Sequence, residues 1–245
     1  MNLRVIYDTV HPAYWNMGFD ESLLVHLNEI GPTLRVYGWS PPAVSIGYFQ
    51  SMAEEVNIRH AKELGVDLVR RITGGGAVYH KYELTYSITL PELRGRILDS
   101  YHLLDMGIIK ALQALNIDAE QEGINDVVVN GKKISGNAQT RKYGGLLQHG
   151  TLLIEVHPEE MFEILRVPEE KMKDKAISDV RQRVTSLKDI GVELEFEELQ
   201  KILVNGFKEA LNAELYEEDV DEKIYDYAHK LEVEKYATHE WNFRR

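Results

Sequence analysis

The residues best suited to chemistry lie in the run Arg70-Arg71-Ile72-Thr73-Gly74-Gly75-Gly76-Ala77-Val78-Tyr79-His80. An apolar stretch delivers two arginines, then three glycines, then a second apolar stretch. Consecutive glycines permit φ > 0 and close backbone approach, so their N–H groups can form a cradle for an anion. An arginine beside such a cradle offers a planar fork to phosphate or carboxylate. The same spacing also suits a plain glycine hairpin with surface arginines. It is not a P-loop, since no Gly-Lys-Ser/Thr follows, and no Gly-x-Gly-x-x-Gly is present.

A second cluster joins Asn125-Asp126 to Asn130-Gly131-Lys132-Lys133-Ile134-Ser135-Gly136-Asn137-Ala138-Gln139. Asn-Gly is a strong hairpin signal, so Asp126 opens one arm and the lysines sit on the other. A carboxylate near a lysine suits a Mg²⁺-bound phosphate facing a cation. Strict alternation puts Lys133 on the face of Ser135, and Lys132 on the face of Gly136 and Ala138, so periodicity does not choose between the lysines. Two solvated lysines at a tight turn remain the plain alternative. A third cluster, Gln148-His149-Gly150-Thr151-Leu152-Leu153, interrupts an apolar strand with a polar His-Gly pair. Its glycine predicts a ligand or another backbone approaching closely, and its histidine either a pocket wall or a satisfied core group.

The elements that must position these groups can be read from pattern. Leu3–Tyr7, Thr33–Trp39, Ala43–Tyr48, Val66–Arg70, Ala77–Tyr79 and Leu84–Leu90 read as strands, with Pro41-Pro42 separating the second from the third. Two hairpins span Val127–Val156: Val127–Val129 meets Lys133-Ile134 through Asn130-Gly131, and Arg141–Gly145 joins Ser135–Gln139 to Leu146–Val156. Helical stripes occupy Trp15–Ile30, Ile58–Leu64 and Asp99–Leu115, the last with Asp99 or Ser100 as N-cap. The region after Pro158 reads as helices over Glu159–Leu165, Glu197–Leu211 and Asp221–Glu234. Strands first and helices late predict an α+β fold with an antiparallel or mixed sheet.

Composition narrows the chemistry further. The 245 residues contain no cysteine, which excludes disulfides, thiolate metal sites and a cysteine nucleophile. The net charge of −12, concentrated after Pro158, argues against broad nucleic-acid binding. No apolar run is long enough for a membrane span, and no signal-peptide pattern opens the chain, so a soluble cytoplasmic protein is expected.

Taken in order, the three clusters resemble the lipoate–protein ligase family within the biotin/lipoate ligase catalytic fold. Weaker echoes at Asn16–Leu24 and Val44–Gln50 keep the family order across most of the chain. The resemblance implies mixed, largely antiparallel sheets flanked by helices. It implies a two-step reaction in which lipoate and Mg·ATP give lipoyl-AMP, and a lysine of a lipoyl domain then takes the lipoyl group. Arg70, Arg71, Gly74, Gly75, Gly76, Ala77, Val78, Tyr79, His80, Asn125, Lys133, Gly136, His149 and Thr151 are then expected to bind ATP and lipoyl-AMP. Among them Arg71 and the Gly76–Tyr79 backbone hold phosphates, Lys133 is the catalytic electrostatic clamp, and Asp126 binds Mg²⁺. The expected acceptors are lipoyl domains of 2-oxoacid dehydrogenase complexes and the glycine-cleavage H protein. Residues 1–245 match one catalytic domain, with Lys235–Asn242 resembling its boundary and no accessory domain following, so a separate accessory subunit is expected for adenylation. Octanoyl- and lipoyl-transferases of the same fold pass the acyl group through a cysteine thioester, a route closed to a chain without cysteine. A transferase using only preformed lipoyl-AMP and a non-enzymatic lipoyl-AMP-binding module are the other readings.

Overall fold

The computed structural model describes residues 1–92, 95–166 and 172–245. The described residues form eleven strands: β1 Asn2–His11, β2 Thr33–Trp39, β3 Ala43–Ile46, β4 Asp67–Arg70, β5 Val78–His80, β6 Glu83–Pro91, β7 Glu120–Glu122, β8 Asp126–Val129, β9 Lys132–Lys142, β10 Gly145–Leu153 and β11 Glu214–Glu217. The helices are α1 Ala13–Val25, α2 Leu27–Ile30, α3 Met52–Glu55, α4 Ile58–Glu63, α5 Ile97–Ala114, α6 Pro158–Ile164, α7 Lys173–Arg183, α8 Phe196–Leu211, α9 Glu222–Leu231 and α10 His239–Asn242. Eight strands make one sheet in the order β11-β1-β2-β6-β10-β9-β8-β7, and β4-β3-β5 make a second. Among the described strands the β1–β11, β1–β2 and β3–β4 pairings are parallel and the others antiparallel, so the expected mixed, largely antiparallel α+β architecture is what forms.

Alternation along β6 explains how the large sheet uses its faces. Leu84, Tyr86, Ile88 and Leu90 point to one side and pack with Leu104, Ile108 and Leu112 of α5 and Leu203 and Phe207 of α8. Gly107 lets those two helices close, because a Cβ there would lie 2.5 Å from the Phe207 ring. The opposite side carries Glu83, Thr85, Ser87 and Thr89, a pattern usual for a solvent face, yet all four are buried. Helix α1 covers part of that polar face, packing Ala13, Met17 and Leu24 against Tyr37, Trp39 and Leu147. The small sheet flanks the remainder, and the site lies between the two sheets.

Several elements differ from the pattern reading, among them the helix expected over Trp15–Ile30, which forms as α1 and α2. Helix α5 starts at Ile97, with Arg96 as N-cap, and Asp99 sits at the third helical position, where its carboxylate accepts the Arg96 N–H at 3.0 Å. The helix predicted over Asp221–Glu234 ends at Leu231 and continues as a π-helical turn over Glu232–Tyr236. Helix α7 and the edge strands β7 and β11 were not legible, being short or dominated by charged residues. Among the described residues, no helix is long and apolar enough to cross a membrane.

Candidate active site

Strand alternation separates the two arginines. Arg70 lies outside the cavity that the site encloses, which corrects its expected place in the wall. Its guanidinium donates to the carbonyls of Gly47, Tyr48, Gln50, Trp241 and Asn242 at 2.5–3.3 Å, fastening the C-terminal segment to the small sheet. Arg71 points the other way. It donates to the Gly74 and Gly76 carbonyls, each at 2.7 Å, and to the Ser45 carbonyl and hydroxyl, each at 3.0 Å. Buried without a carboxylate partner, Arg71 has its pKa pushed down to about 10 by desolvation. It nevertheless stays charged at neutral pH.

Tying the loop's carbonyls to Arg71 has a consequence for its amides. The N–H groups of Gly74, Gly75 and Gly76 donate to no acceptor among the described residues. Gly75 adopts φ +91°. Three undonated amides with a cation behind them leave donors available to an anion. Gly47 allows loop 73–75 to sit close, since a Cβ there would lie 2.1 Å from the Gly75 carbonyl oxygen.

The β8–β9 hairpin settles which lysine faces inward. Val127 pairs with Ser135 but Val128 pairs with Lys133, so one extra residue is accommodated between them. This bulge breaks strict alternation and brings Lys133 onto the face of Gly136, contrary to the period-two expectation. Lys133 Nζ lies 2.7 Å from Asp126 Oδ1, and its chain end occupies the space a Cβ on Gly136 would take. Lys132 is exposed and reaches only the Arg181 carbonyl, at 3.4 Å.

The cavity, about 390 Å³, is lined by Arg71, Gly75–Lys81, Asn125, Lys133, Gly136, His149 and Thr151 among others. Gly74 and Asp126 stand just behind that wall, contacting Arg71 and Lys133 respectively. His149 is held from both sides. Its Nδ1 donates to Asp20 at 3.2 Å and its Nε2 accepts from the Thr73 hydroxyl at 2.7 Å. Burial lowers the His149 pKa, so the ring is neutral. Burial alone would favour protonated Asp20. Donors from His149, Arg35, Tyr37 and Ser87 outweigh that and keep its pKa below the ordinary range. His80 is similarly fixed, donating to Glu83 at 2.5 Å, accepting from Ser45 at 2.7 Å and stacking on Trp39 at 4.0 Å.

Gly150 makes room for a side chain, not for a ligand or another backbone: a Cβ there would lie 1.8 Å from Asn137 Oδ1. Sequence reasoning missed Met17, Tyr37, Trp39, Ser45, Glu83, Met161, Val180 and Val184, all of which line the cavity. The buried polar alternation of β6 was the one available signal for this face. For Mg²⁺ the hairpin offers the Asp126 carboxylate beside Lys133, Glu83 and Glu155 also line the cavity, and no cluster of three ligating side chains exists among the described residues. That donor set fits an ion completed by phosphate oxygens and water, not an all-protein cage.

The family model for the lipoyl protein ligase A/B catalytic domain matches residues 12–208. Octanoyltransferase LipM of Kyrpidia tusciae is 35% identical, covering 99% of this chain and 98% of its own length. Octanoyltransferase LipM of Bacillus subtilis is 31% identical, covering 96% and 95%. In the structural analysis of a bi-partite lipoate protein ligase and its E2 lipoyl domain from Thermoplasma acidophilum, one chain aligns at TM-score 0.92 and 32% identity, over 99% of this chain and 96% of that one. Lipoate-protein ligase A bound with ATP aligns at TM-score 0.87 and 29% identity, over 99% of both chains. With its glycine loop and lysine hairpin set in this fold and the family match covering most of its length, the chain belongs to the lipoyl protein ligase A/B catalytic family, enzymes of the lipoate ligase and octanoyltransferase group.

Proposed function

We propose that this chain is the catalytic subunit of an ATP-dependent lipoate–protein ligase. The observation that carries the reading is the Lys133–Asp126 pair, facing a glycine loop with undonated amides in a chain without cysteine. In the first step a lipoate carboxylate oxygen attacks the α-phosphorus of ATP, and pyrophosphate leaves. In the second, the acceptor lysine's amine attacks the acyl carbonyl, the amide forms with loss of a proton, and AMP leaves. Both steps build negative charge, which prepositioned donors stabilise without reorganising. The amides of Gly74–Gly76, with Arg71 behind them, receive phosphate oxygens. Lys133 bridges the acyl carbonyl and the α-phosphate as an electrostatic clamp and forms no covalent bond. Asn125 and Thr151 border the same space, and His80 and His149 act as walls. The apolar lining from Met17, Trp39, Val180 and Val184 accepts the dithiolane tail. Asp126 would hold Mg²⁺, whose charge offsets that of the phosphates.

Residues 1–245 act as one catalytic domain, serving lipoyl domains of 2-oxoacid dehydrogenase complexes and the glycine-cleavage H protein. Likeness to the bi-partite Thermoplasma acidophilum ligase supports a separate accessory subunit for adenylation. The relatives named octanoyltransferase LipM favour a second reading, octanoyl transfer. A thioester route would need a thiol that this chain lacks. The deciding experiment supplies lipoate, Mg²⁺ and α-labelled ATP, with and without a candidate accessory subunit, and follows labelled lipoyl-AMP and the mass of a lipoyl-domain acceptor. Labelled intermediate followed by one lipoyl mass is expected. Acyl transfer only from an octanoyl thioester would establish the second reading, and retention of preformed lipoyl-AMP without acyl transfer would leave a binding module.

A further inference from the structure

The turn delivering Asp126 to Lys133 spans residues 123–126 and is fastened to β9 by the Asp126–Gly136 strand pairing and by Asn137. The Asn137 backbone N–H and its Nδ2 both donate to the Asn125 carbonyl, at 2.9 and 3.1 Å, while Asn125 Nδ2 donates back to the Asn137 carbonyl. Beyond the turn, Asn137 Oδ1 accepts the Tyr86 hydroxyl at 2.8 Å. That hydroxyl accepts Gln148 Nε2 at 2.6 Å, and the same nitrogen donates to Asp105 at 3.1 Å. The Asn137 amide thus has its donor on the turn and its acceptor on a buried chain running to α5. Its side chain is nearly inaccessible, and Gly150 leaves the space it occupies.

We propose that Asn137 is a positioning residue for acyl transfer: it fixes the 123–126 turn so that the Asp126 carboxylate meets Lys133 over Gly136. This rests on the reading that Lys133 contacts the reacting acyl and phosphoryl groups. Without the Nδ2 donor the turn keeps its backbone bonds and the Asn125 Nδ2 contact but loses the side-chain contact from β9 that fixes its tilt. Asp126 and Lys133 would then drift from their shared position, and misplacement of about 1 Å at a reacting centre can lower a rate roughly 100-fold. The amide must be asparagine's, because only it donates to Asn125 and accepts from Tyr86 at once.

The test uses the full chain with preformed lipoyl-AMP and a lipoyl-domain acceptor, comparing wild type, Asn137→Asp, Asn137→Ala and Tyr86→Phe. Asn137→Asp keeps volume and the Tyr86 acceptor but removes the donor, while Tyr86→Phe guards against misfolding at position 137. The expected result is kcat down about tenfold or more in both Asn137 variants with KM for lipoyl-AMP within about threefold, and a smaller loss in Tyr86→Phe. Hydrogen exchange at residues 123–126 should quicken in the Asn137 variants while the thermal midpoint moves little. Unchanged exchange in the turn, or kcat within twofold of wild type, overturns the proposal. The exchange measurement decides the positioning claim by itself, whereas a wild-type chain that transfers nothing would overturn the ligase reading instead.

Discussion

Lys133 Nζ and Asp126 Oδ1 stand 2.7 Å apart across the β8–β9 hairpin, in the space left by the missing side chain of Gly136. Both side chains are about two-fifths exposed, and only Lys133 of the two lines the cavity, so the pair has little to do with holding the core. Lys133→Ala should therefore leave the thermal midpoint within a few degrees while lowering acyl transfer by about 100-fold or more, the scale of losing one charged transition-state donor. Lys132→Ala should change activity less than about twofold, since its exposed amine reaches only one carbonyl. Transfer from preformed lipoyl-AMP measures both. The reverse pattern would mean that the bulge does not set the facing in solution.

Gly136→Ala probes the same relationship without removing a charge. Its Cβ would lie 2.6 Å from both Cε and Nζ of Lys133, the flexible end of that chain, so the lysine must move and the strand need not. Activity should fall about tenfold with stability nearly unchanged, an effect of misplacement and not of lost binding. Steady-state kinetics should show the loss in kcat, with KM for lipoyl-AMP little altered. A wild-type kcat would show that Lys133 tolerates the shift.

The two arginines should separate in experiment as they do in space. Arg70→Ala takes a donor from five backbone carbonyls, of which Gly47 and Tyr48 keep another, and should cost about 2–4 kcal/mol of stability, read by denaturant unfolding. Arg71→Lys keeps a charge but loses the fork that holds the Gly74 and Gly76 carbonyls. It should weaken nucleotide binding about tenfold or more in a direct binding measurement, with a smaller stability loss. Equal effects of the two changes on nucleotide binding would contradict the assignment of Arg70 to the scaffold.

The contrast also marks what could be read in advance. Glycine spacing gave the loop after Thr73, and Asn130-Gly131 gave the hairpin, because turns are set by local backbone chemistry. The order of strands and helices gave the α+β layering for the same reason. Strand alternation could have separated Arg70 from Arg71, but assigning the faces needed the Trp241-Asn242 segment, more than 170 residues away in sequence. The inward turn of Lys133 was hidden because a bulge leaves no residue signature when no glycine marks it. Trp39, Ser45 and Glu83 enter the site only through the approach of two sheets, which no local pattern encodes.

Asp105 gives the last prediction, and it concerns stability. This α5 carboxyl is inaccessible, accepts one hydrogen bond from Gln148 and has one oxygen, Oδ2, with no partner among the described residues. Burial, aided by the charge of Asp126, raises its pKa to about 7 despite the Gln148 donor. In the unfolded chain the same group titrates near 4. Between those values the folded state holds a proton that the unfolded state has released, so stability falls as pH rises through the interval. Across about three pH units the loss is on the order of a few kcal/mol, and above pH 7 the folded state carries a buried charge. Asp105→Asn removes the titration while keeping an acceptor for Gln148. Denaturant unfolding of both proteins at pH 5 and pH 8 should give similar stabilities at the lower pH and a clear advantage to the variant at the higher. The subtraction cancels groups with the opposite slope, such as His149, whose lowered pKa makes stability fall as pH drops below about 6.5. A wild-type stability that stays parallel to the variant's from pH 5 to pH 8 would mean that Asp105 is ionised in the fold throughout.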